Sequence, residues 1–205
     1  KCLVHLSGLP LILWQLRSLI EAGITDITVV TGYCGKLVES LIEPLGINTL
    51  YNTNWSHTNM VSTLLCAAEV IDEACIVSYS DIVYGPRLVK KLSVTDVPLG
   101  VAVDLDWLEL WSARFENPLT DAESLRLSQD GYIVDIGRSV EDYDEIDGQF
   151  MGLIRVTPES VAWMYDVING DSKLLAELDM TGLLARLISV GRPVRSIETR
   201  GNWCE

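Results

Sequence analysis

Apolar positions along the chain follow two different periods, and the changes between them mark the predicted elements. Stretches with an apolar stripe at a 3.6-residue period predict helices, over residues 10–22, 36–42, 59–71, 85–92, 158–168 and 180–190. Short apolar runs bounded by glycine, proline or aspartate predict strands, over residues 26–30, 47–51, 76–79, 99–103, 149–157 and 194–199. We expect the first two strands to be buried. The alternation predicts an α/β fold, a Rossmann-like three-layer sandwich with a mostly parallel central sheet.

The pattern changes after Trp107. A short aromatic helix reaches about Phe115, and two strand-like stretches, residues 124–127 and 132–136, flank an Asp130-Gly131 pair that is typical of a hairpin turn. This segment predicts a small β-rich lobe, residues 104–147, inserted into a single domain that spans residues 1–205.

Composition narrows the classes of partner. The chain carries 15 basic and 29 acidic side chains and a formal charge of −14, which argues against a protein that binds a nucleic-acid backbone. No run reaches the roughly 18 apolar residues of a membrane span. The five cysteines form no C-x-x-C pair and predict reduced, mostly buried thiols. We therefore expect a soluble cytoplasmic protein that binds neither nucleic acid nor membrane.

Asp81 is the strongest single candidate for chemistry. It follows the strand predicted over residues 76–79, and the carboxyl end of a parallel strand borders the ligand crevice of an α/β sheet. A carboxylate there can hold Mg²⁺ between triphosphate oxygens, whereas the alternative is an ordinary loop or helix-cap aspartate. The glycine-rich dinucleotide, P-loop and G-x-S-x-G motifs are absent, and His5 and His57 lack metal-ligand spacing.

Aromatic and acidic side chains are concentrated at the start of the predicted lobe. Trp107, Trp111 and Arg114 recur at helical spacing directly after Asp104 and Asp106. Such a set can form a cage for a quaternary ammonium group through cation–π attraction aided by charge. The alternative is that the two tryptophans only pack the lobe.

Several short motifs, in their order and spacing, resemble those of a known family. They are the opening K-C-L-V-H-L-S-G-L-P-L-I at residues 1–12 and the segments 59–65, 78–84, 111–115, 121–123, 148–153, 179–181 and 201–205. Together they resemble the bacterial nucleotidyltransferase superfamily, the sugar-phosphate nucleotidyltransferase-like enzymes, and most closely its phosphocholine cytidylyltransferase-like branch.

In that family a glycine-rich signature loop with an arginine runs into a Pro-Lys pair whose lysine matches Lys1. A second metal-binding aspartate follows the Trp-x-Glu stretch that ends here at Glu205. We expect both features to be missing at the ends of this sequence, and residues 1–205 alone to transfer nucleotides weakly.

The resemblance also implies roles for particular residues within a fold of the nucleotide-diphospho-sugar transferase type. Asp81 would be a Mg²⁺ ligand, and Lys1, which by itself would be an ordinary solvated lysine, would neutralise phosphate charge. Four residues would bind the nucleotide, and these are Asn59, Met60, Ser62 and Ser80. Six would line or border the acceptor side, and these are Asp104, Trp107, Trp111, Arg114, Asp121 and Glu123.

The function that the resemblance implies is nucleotidyl transfer. The enzyme would move a nucleoside monophosphate, CMP from CTP, to a small phosphorylated acceptor such as phosphocholine or aminoethylphosphonate, and release pyrophosphate. Two alternatives remain open at this point: a sugar-1-phosphate nucleotidyltransferase, and a non-catalytic nucleotide-binding domain that kept the fold without the chemistry.

Overall fold

The computed structural model describes residues 1–205, which form twelve strands and eight α-helices. The strands are β1 (His5–Leu6), β2 (Leu9–Pro10), β3 (Thr28–Thr31), β4 (Asn48–Tyr51), β5 (Cys75–Ser78), β6 (Val83–Tyr84), β7 (Leu99–Asp104), β8 (Glu123–Leu127), β9 (Ile133–Ser139), β10 (Gln149–Val156), β11 (Arg195–Thr199) and β12 (Trp203–Cys204). The helices are α1 (Leu11–Glu21), α2 (Gly35–Ile42), α3 (Met60–Leu65), α4 (Pro86–Val94), α5 (Trp107–Arg114), α6 (Pro158–Ile168), α7 (Ser172–Glu177) and α8 (Met180–Ser189). The predicted α/β class is confirmed.

The central sheet has the strand order β11-β7-β10-β5. β11 is parallel to β7, whereas β10 is antiparallel to both of its neighbours, so β5, β7 and β11 share one direction and β10 opposes them. The reversal follows from the connection, because the chain leaves β7 at Asp104 and returns at Gln149, its register partner. A strand that re-enters at the same end must run backwards, and only a parallel pair needs a crossover.

Helices cover both faces of this sheet, which gives the three layers. On one face α6 and α8 pack against β7 and β10, with Leu183 and Leu187 fully buried. On the other face α4 contributes Val89 and Leu92, both without exposed surface. Because both faces are covered, all six residues of β7 are buried, and this explains why the strand is apolar from Leu99 to Val103.

β3 and β4 form a separate parallel pair beside α1 and α2. The prediction that both strands are buried was wrong: in β3 only Thr31 is buried and the other three residues are partly exposed, and in β4 Asn48, Thr49 and Tyr51 are exposed. β4 pairs only with β3 and has no second neighbour to cover it. The hydrophobic side chains of the pair are therefore shielded mainly from the side of the helices.

The cysteines are all free, but the prediction that most are buried was wrong. Cys34 and Cys66 are exposed and the other three are partly exposed. Cys34 occupies a left-handed position before α2, and Cys66 ends α3, so both lie at helix ends rather than on packed faces. Separately, none of the helices combines the length and apolar content that crossing a bilayer requires.

Candidate active site

Asp81 lies in the turn between β5 and β6, at the carboxyl end of β5. Gln15, a buried residue of α1, fixes this turn because its Nε2 donates to the carbonyl oxygens of Tyr79 at 2.7 Å and Ile82 at 2.6 Å. The Asp81 carboxylate is therefore held at the edge of the central sheet where open α/β folds bind ligands.

Lys1 and Asp81, two residues predicted to act together, are in direct contact. The Lys1 Nζ lies 2.8 Å from Asp81 Oδ2, and the lysine side chain is 77% exposed while that of Asp81 is 21% exposed. The hydrogen bond and the charge of Asp81 raise the pKa of Lys1. A pair this open to solvent contributes only about 0–1 kcal/mol to the stability of the fold. The pair is therefore a candidate for function because of its position, not because it stabilises the protein.

Glu205 joins this pair through the β6–β12 ladder. Trp203 pairs with Tyr84 and Cys204 with Val83, so the next residue, Glu205, follows directly beside the turn that carries Asp81. The charge of Glu205 is also felt at Lys1, where it raises the pKa after the larger effects of Asp81. Glu205 was absent from the predicted site residues, although it ends the Trp-x-Glu stretch that the family resemblance singled out.

Arg114 is the second cation of the site. Its Nη1 lies 3.5 Å from Glu205 Oε2, and its guanidinium lies over the rings of Trp111 at 5.7 Å and Phe115 at 5.1 Å. Cation–π contacts of this kind hold an arginine in place while they leave its nitrogen atoms free to donate. The structure thus brings together two cations and two carboxylates, Lys1, Arg114, Asp81 and Glu205.

Tyr79 lies close enough to this cluster for the charges of Asp81 and Glu205 to act on its phenol. Its ring packs against Gly152 of β10 and meets the Phe150 ring edge-on at 5.7 Å. Its hydroxyl lies 2.6 Å from Met60 Sδ.

Burial raises the pKa of the Tyr79 phenol. The charges of four nearby carboxylates raise this pKa further, and they are Asp179, Asp81, Glu123 and Glu205. The phenol therefore keeps its proton at neutral pH and is a hydrogen-bond donor.

The predicted nucleotide-binding residues lie at the start of α3 and in the Asp81 turn. Asn59 Oδ1 accepts from the Met60 amide at 2.8 Å and its Nδ2 donates to the Glu177 carbonyl at 3.3 Å, so this side chain positions the helix. Met60 reaches Tyr79, and Ser80 is exposed next to Asp81. Ser62 is partly buried in α3, and whether these residues contact a nucleotide stays a prediction.

Asn52, which the sequence analysis did not identify, holds together the segment between β4 and α3. It is only 2% exposed, and its Nδ2 donates to Thr58 Oγ1 at 3.3 Å and Thr63 Oγ1 at 3.1 Å. Its Oδ1 accepts from the Asn54 amide at 2.9 Å. One buried amide thus joins the end of β4 to the first turn of α3, and nothing in the local pattern distinguishes it from a surface asparagine.

The structure contradicts the aromatic cage predicted from Trp107 and Trp111. The two rings are 5% and 4% exposed and pack with Ala122, Val140 and Ile146 in a small core of the lobe. A cage needs exposed ring faces, and these faces are covered, so the packing alternative is correct for both tryptophans.

Asp104 was also predicted to face the acceptor, and the structure places it beneath the site instead. It is 1% exposed, and its carboxylate accepts from the amides of Asp106 and Gly201, each at 3.0 Å, and from Trp203 Nε1 at 2.7 Å. These bonds tie the end of β7 to the loop that precedes β12. Asp104 therefore positions the segment that carries Glu205.

Glu123 and Asp121 lie on the lobe side of Tyr79. Burial raises the pKa of Glu123, the Thr181 hydroxyl lowers it by donating a hydrogen bond, and the charges of Asp179 and Asp121 raise it. Asp121 and Asp179 are exposed, and one Asp179 oxygen caps α8 at the Gly182 amide. These carboxylates give the lobe side a negative potential.

Glu123→Gln is expected to stabilise the protein at neutral pH by up to about 1 kcal/mol, after allowance for solvent screening. Because the pKa of Glu123 is raised in the folded state, its contribution to stability is present below the ordinary value of 4.5 and is lost as the pH rises through the folded pKa. Glutamine keeps an acceptor for Thr181 and removes the charge. The melting temperatures of the wild type and Glu123→Gln should coincide at pH 4 and diverge at pH 7. The exposed Glu116→Gln is the control. Equal melting temperatures at pH 7 would contradict the prediction.

The oxygen donors of the site suit a hard divalent cation. No group of three or more His, Cys, Asp or Glu side chains forms a ready-made metal site. Magnesium, however, is usually bound by one or two carboxylates together with substrate phosphates and water. Asp81 and Glu205, which lie at the same end of the β6–β12 ladder and both act on Lys1, provide that kind of incomplete set.

Comparisons with known proteins agree with this geometry. The profile of the MobA-like NTP transferase domain matches residues 1–95. The CTP:phosphoglutamine cytidylyltransferase of Campylobacter jejuni is 34% identical over 219 positions, which cover all of this chain and 86% of the relative.

Solved structures share the fold. The inositol-1-phosphate CTP transferase of T. maritima superposes with a TM-score of 0.77 at 16% identity, over 100% of this chain and 79% of that one. The CTP:phosphocholine cytidylyltransferase of Streptococcus pneumoniae gives 0.70 at 19% identity, over 98% and 81%. The predicted resemblance is confirmed: the chain is a nucleotidyltransferase, and it belongs to the same family as the C. jejuni CTP:phosphoglutamine cytidylyltransferase.

Proposed function

We propose that this protein transfers CMP from CTP to a small phosphorylated acceptor and releases pyrophosphate. The observation that carries the proposal is the contact between Lys1 and Asp81 at the carboxyl end of β5. A flexible cation and a carboxylate able to bind a metal ion thus meet near the ligand edge of the sheet, which supports the proposal. The relative that is 34% identical over the whole chain uses CTP by its name, which supports CTP as the nucleotide.

The divalent cation that this family commonly uses is proposed to be Mg²⁺, held by Asp81 and by Glu205. A bound Mg²⁺ would withdraw negative charge from the triphosphate oxygens and orient them. The carboxylates of this chain supply the hard oxygen ligands, and no soft thiolate or imidazole is needed.

Lys1 and Arg114 are proposed to stabilise the charge that develops during transfer. In the free protein each is paired with a carboxylate, Lys1 with Asp81 and Arg114 with Glu205. Because the Lys1 side chain is largely exposed, its ammonium can turn to a phosphate oxygen without crossing packed structure. Fixed cations near the α-phosphate stabilise the transition state more than the ground state, which raises kcat.

No covalent enzyme intermediate is required. The acceptor phosphate oxygen, already anionic, attacks the α-phosphorus of CTP; the new P–O bond forms as the bond to the β-phosphate oxygen breaks, and pyrophosphate carries away that electron pair. The chain therefore needs to align the two substrates and neutralise charge. It does not need a general base.

The acceptor is proposed to carry a cationic nitrogen as well as its phosphate. The carboxylates of Glu123, Asp121 and Asp179 lie on the lobe side, and this negative surface favours an ammonium group. Phosphocholine, aminoethylphosphonate and phosphoglutamine all fit this description. The runner-up is a sugar 1-phosphate or a related neutral polyol phosphate, since structural neighbours are named as a putative glucose-1-phosphate thymidylyltransferase and an inositol-1-phosphate CTP transferase.

Pyrophosphate release by the full-length protein with Mg²⁺ tests the proposal. Each of the four common nucleoside triphosphates is combined with phosphocholine, aminoethylphosphonate, phosphoglutamine and glucose 1-phosphate, and Asp81→Ala is the negative control. Release confined to CTP with an amine-bearing acceptor, and lost in the control, is the expected result. Release only with glucose 1-phosphate would support the runner-up, and no release with any pair would favour a non-catalytic nucleotide-binding domain.

A further inference from the structure

The Tyr79 side chain is rigidly held, but its hydroxyl has a weak partner. The Tyr79 amide donates to the Gly152 carbonyl at 2.8 Å, and its own carbonyl accepts from Gln15 Nε2 at 2.7 Å. The ring lies against Gly152 and Phe150. The hydroxyl, by contrast, meets only the thioether sulfur of Met60, which is a weak hydrogen-bond acceptor. A fixed donor with a weak partner is available to a ligand at small cost.

The other donors around it are already engaged. Lys1 is paired with Asp81 at 2.8 Å, and Arg114 with Glu205 at 3.5 Å. A phosphate that recruits either cation must separate an ion pair. Tyr79, being neutral, can bond a phosphoryl oxygen without leaving a carboxylate unpaired, since it gives up only the contact with sulfur.

We propose that the Tyr79 hydroxyl donates a hydrogen bond to a phosphoryl oxygen of a bound substrate and so contributes to the specificity for phosphate-bearing substrates. The inference rests on the proposed function, because it assumes that a phosphorylated substrate enters this site. Tyr79 lies between Met60, at the start of α3, and the lobe-side residue Glu123. The phosphoryl oxygen therefore belongs either to CTP or to the acceptor.

Tyr79→Phe separates these possibilities, because it removes the hydroxyl and keeps the ring against Gly152 and Phe150. A lost hydrogen bond to a charged group weakens binding about tenfold or more. We expect the KM of one substrate to rise by about that factor with an unchanged melting temperature. A rise confined to CTP assigns the oxygen to the nucleotide, and a rise confined to the acceptor assigns it to the acceptor phosphate. Wild-type values for both would overturn the proposal.

Tyr84→Phe is the matched control. The Tyr84 hydroxyl is buried and donates to Ser78 Oγ at 3.0 Å, away from solvent, so its loss should lower the melting temperature and leave both KM values unchanged. Calorimetric binding of CTP, of pyrophosphate and of each acceptor, all with Mg²⁺, to wild type and Tyr79→Phe needs no turnover. Failure of transfer with every acceptor would therefore remove the proposed function alone. Equal binding of every probe by the two proteins would remove the Tyr79 inference alone.

Discussion

Asp81→Asn should lower kcat for nucleotidyl transfer by about a thousandfold. Asparagine has the same shape as aspartate, so the turn held by Gln15 is retained. The neutral amide is a poorer ligand for a hard cation and no longer balances Lys1, whose ammonium lies 2.8 Å away. Steady-state rates of pyrophosphate release at saturating substrates measure the effect.

The melting temperature of Asp81→Asn should stay close to that of the wild type, since an exposed ion pair contributes about 0–1 kcal/mol. Asp96→Asn makes the same chemical change at an exposed position whose side chain forms no hydrogen bond or ion pair, and it should leave kcat unchanged. If Asp81→Asn retained more than about a tenth of the wild-type kcat, the assignment of Asp81 to the chemistry would be wrong.

Gly152→Ala is expected to impair both stability and activity. Gly152 has φ +76°, and an added Cβ would lie 2.8 Å from Cγ and Cδ2 of Tyr79. The left-handed backbone costs about 1–2 kcal/mol for a residue with a Cβ, and overpacking in a buried strand adds about 1–3 kcal/mol. The Tyr79 ring must shift to relieve the contact, so we also expect kcat/KM to fall about tenfold. Denaturant unfolding and steady-state kinetics measure the two effects.

Gly170→Ala is the control that measures the cost of the left-handed backbone alone. Gly170 has φ +72°, close to that of Gly152, but nothing lies within 4 Å of its added Cβ. The difference between the two variants in free energy of unfolding is the cost of crowding Tyr79. Equal destabilisation by both changes, or full activity of Gly152→Ala, would show that Tyr79 does not depend on this glycine.

Elements with strong local end signals could be predicted almost to the residue. α6 spans Pro158–Ile168, the predicted range, because Thr157 and Ser160 form a capping box, Pro158 opens the helix and Asn169 ends it in a left-handed conformation. The same reasoning located most of the other helices and the strands of the central sheet. It missed α7, a short helix whose residues show too little periodicity to be noticed.

What could not be predicted depends on partners that are distant in the chain. The direction of β10 follows from where the lobe returns to the sheet, and a hydrophobic pattern reports burial without direction. Asp104 and the aspartates at the surface look alike in sequence. The role of Asp104 depends on Trp203, 99 residues further along the chain, whose Nε1 donates to the Asp104 carboxylate.

The residues of the candidate site also divide into those with a local signal in the sequence and those without one. Asp81 could be found because a carboxylate directly follows a strand, a local signal, and the family resemblance identified Lys1. Tyr79 and Glu205 carry no local mark that distinguishes them from packing and surface residues. The tryptophans of α5 were misplaced because an aromatic stripe at helical spacing is equally typical of a small core and of a binding surface.

The contacts that assemble the site also determine when it forms as the chain folds. Lys1 and Asp81 are 80 residues apart, Arg114 and Glu205 are 91 apart, and Asp104 meets Trp203 across 99. Closing loops of this length costs entropy before the contacts stabilise anything, so pairings of this kind form late in folding. A nascent or partly folded chain in which β12 has not docked on β6 lacks Glu205 at the site. We therefore expect nucleotide transfer only from chains in which β12 has docked on β6.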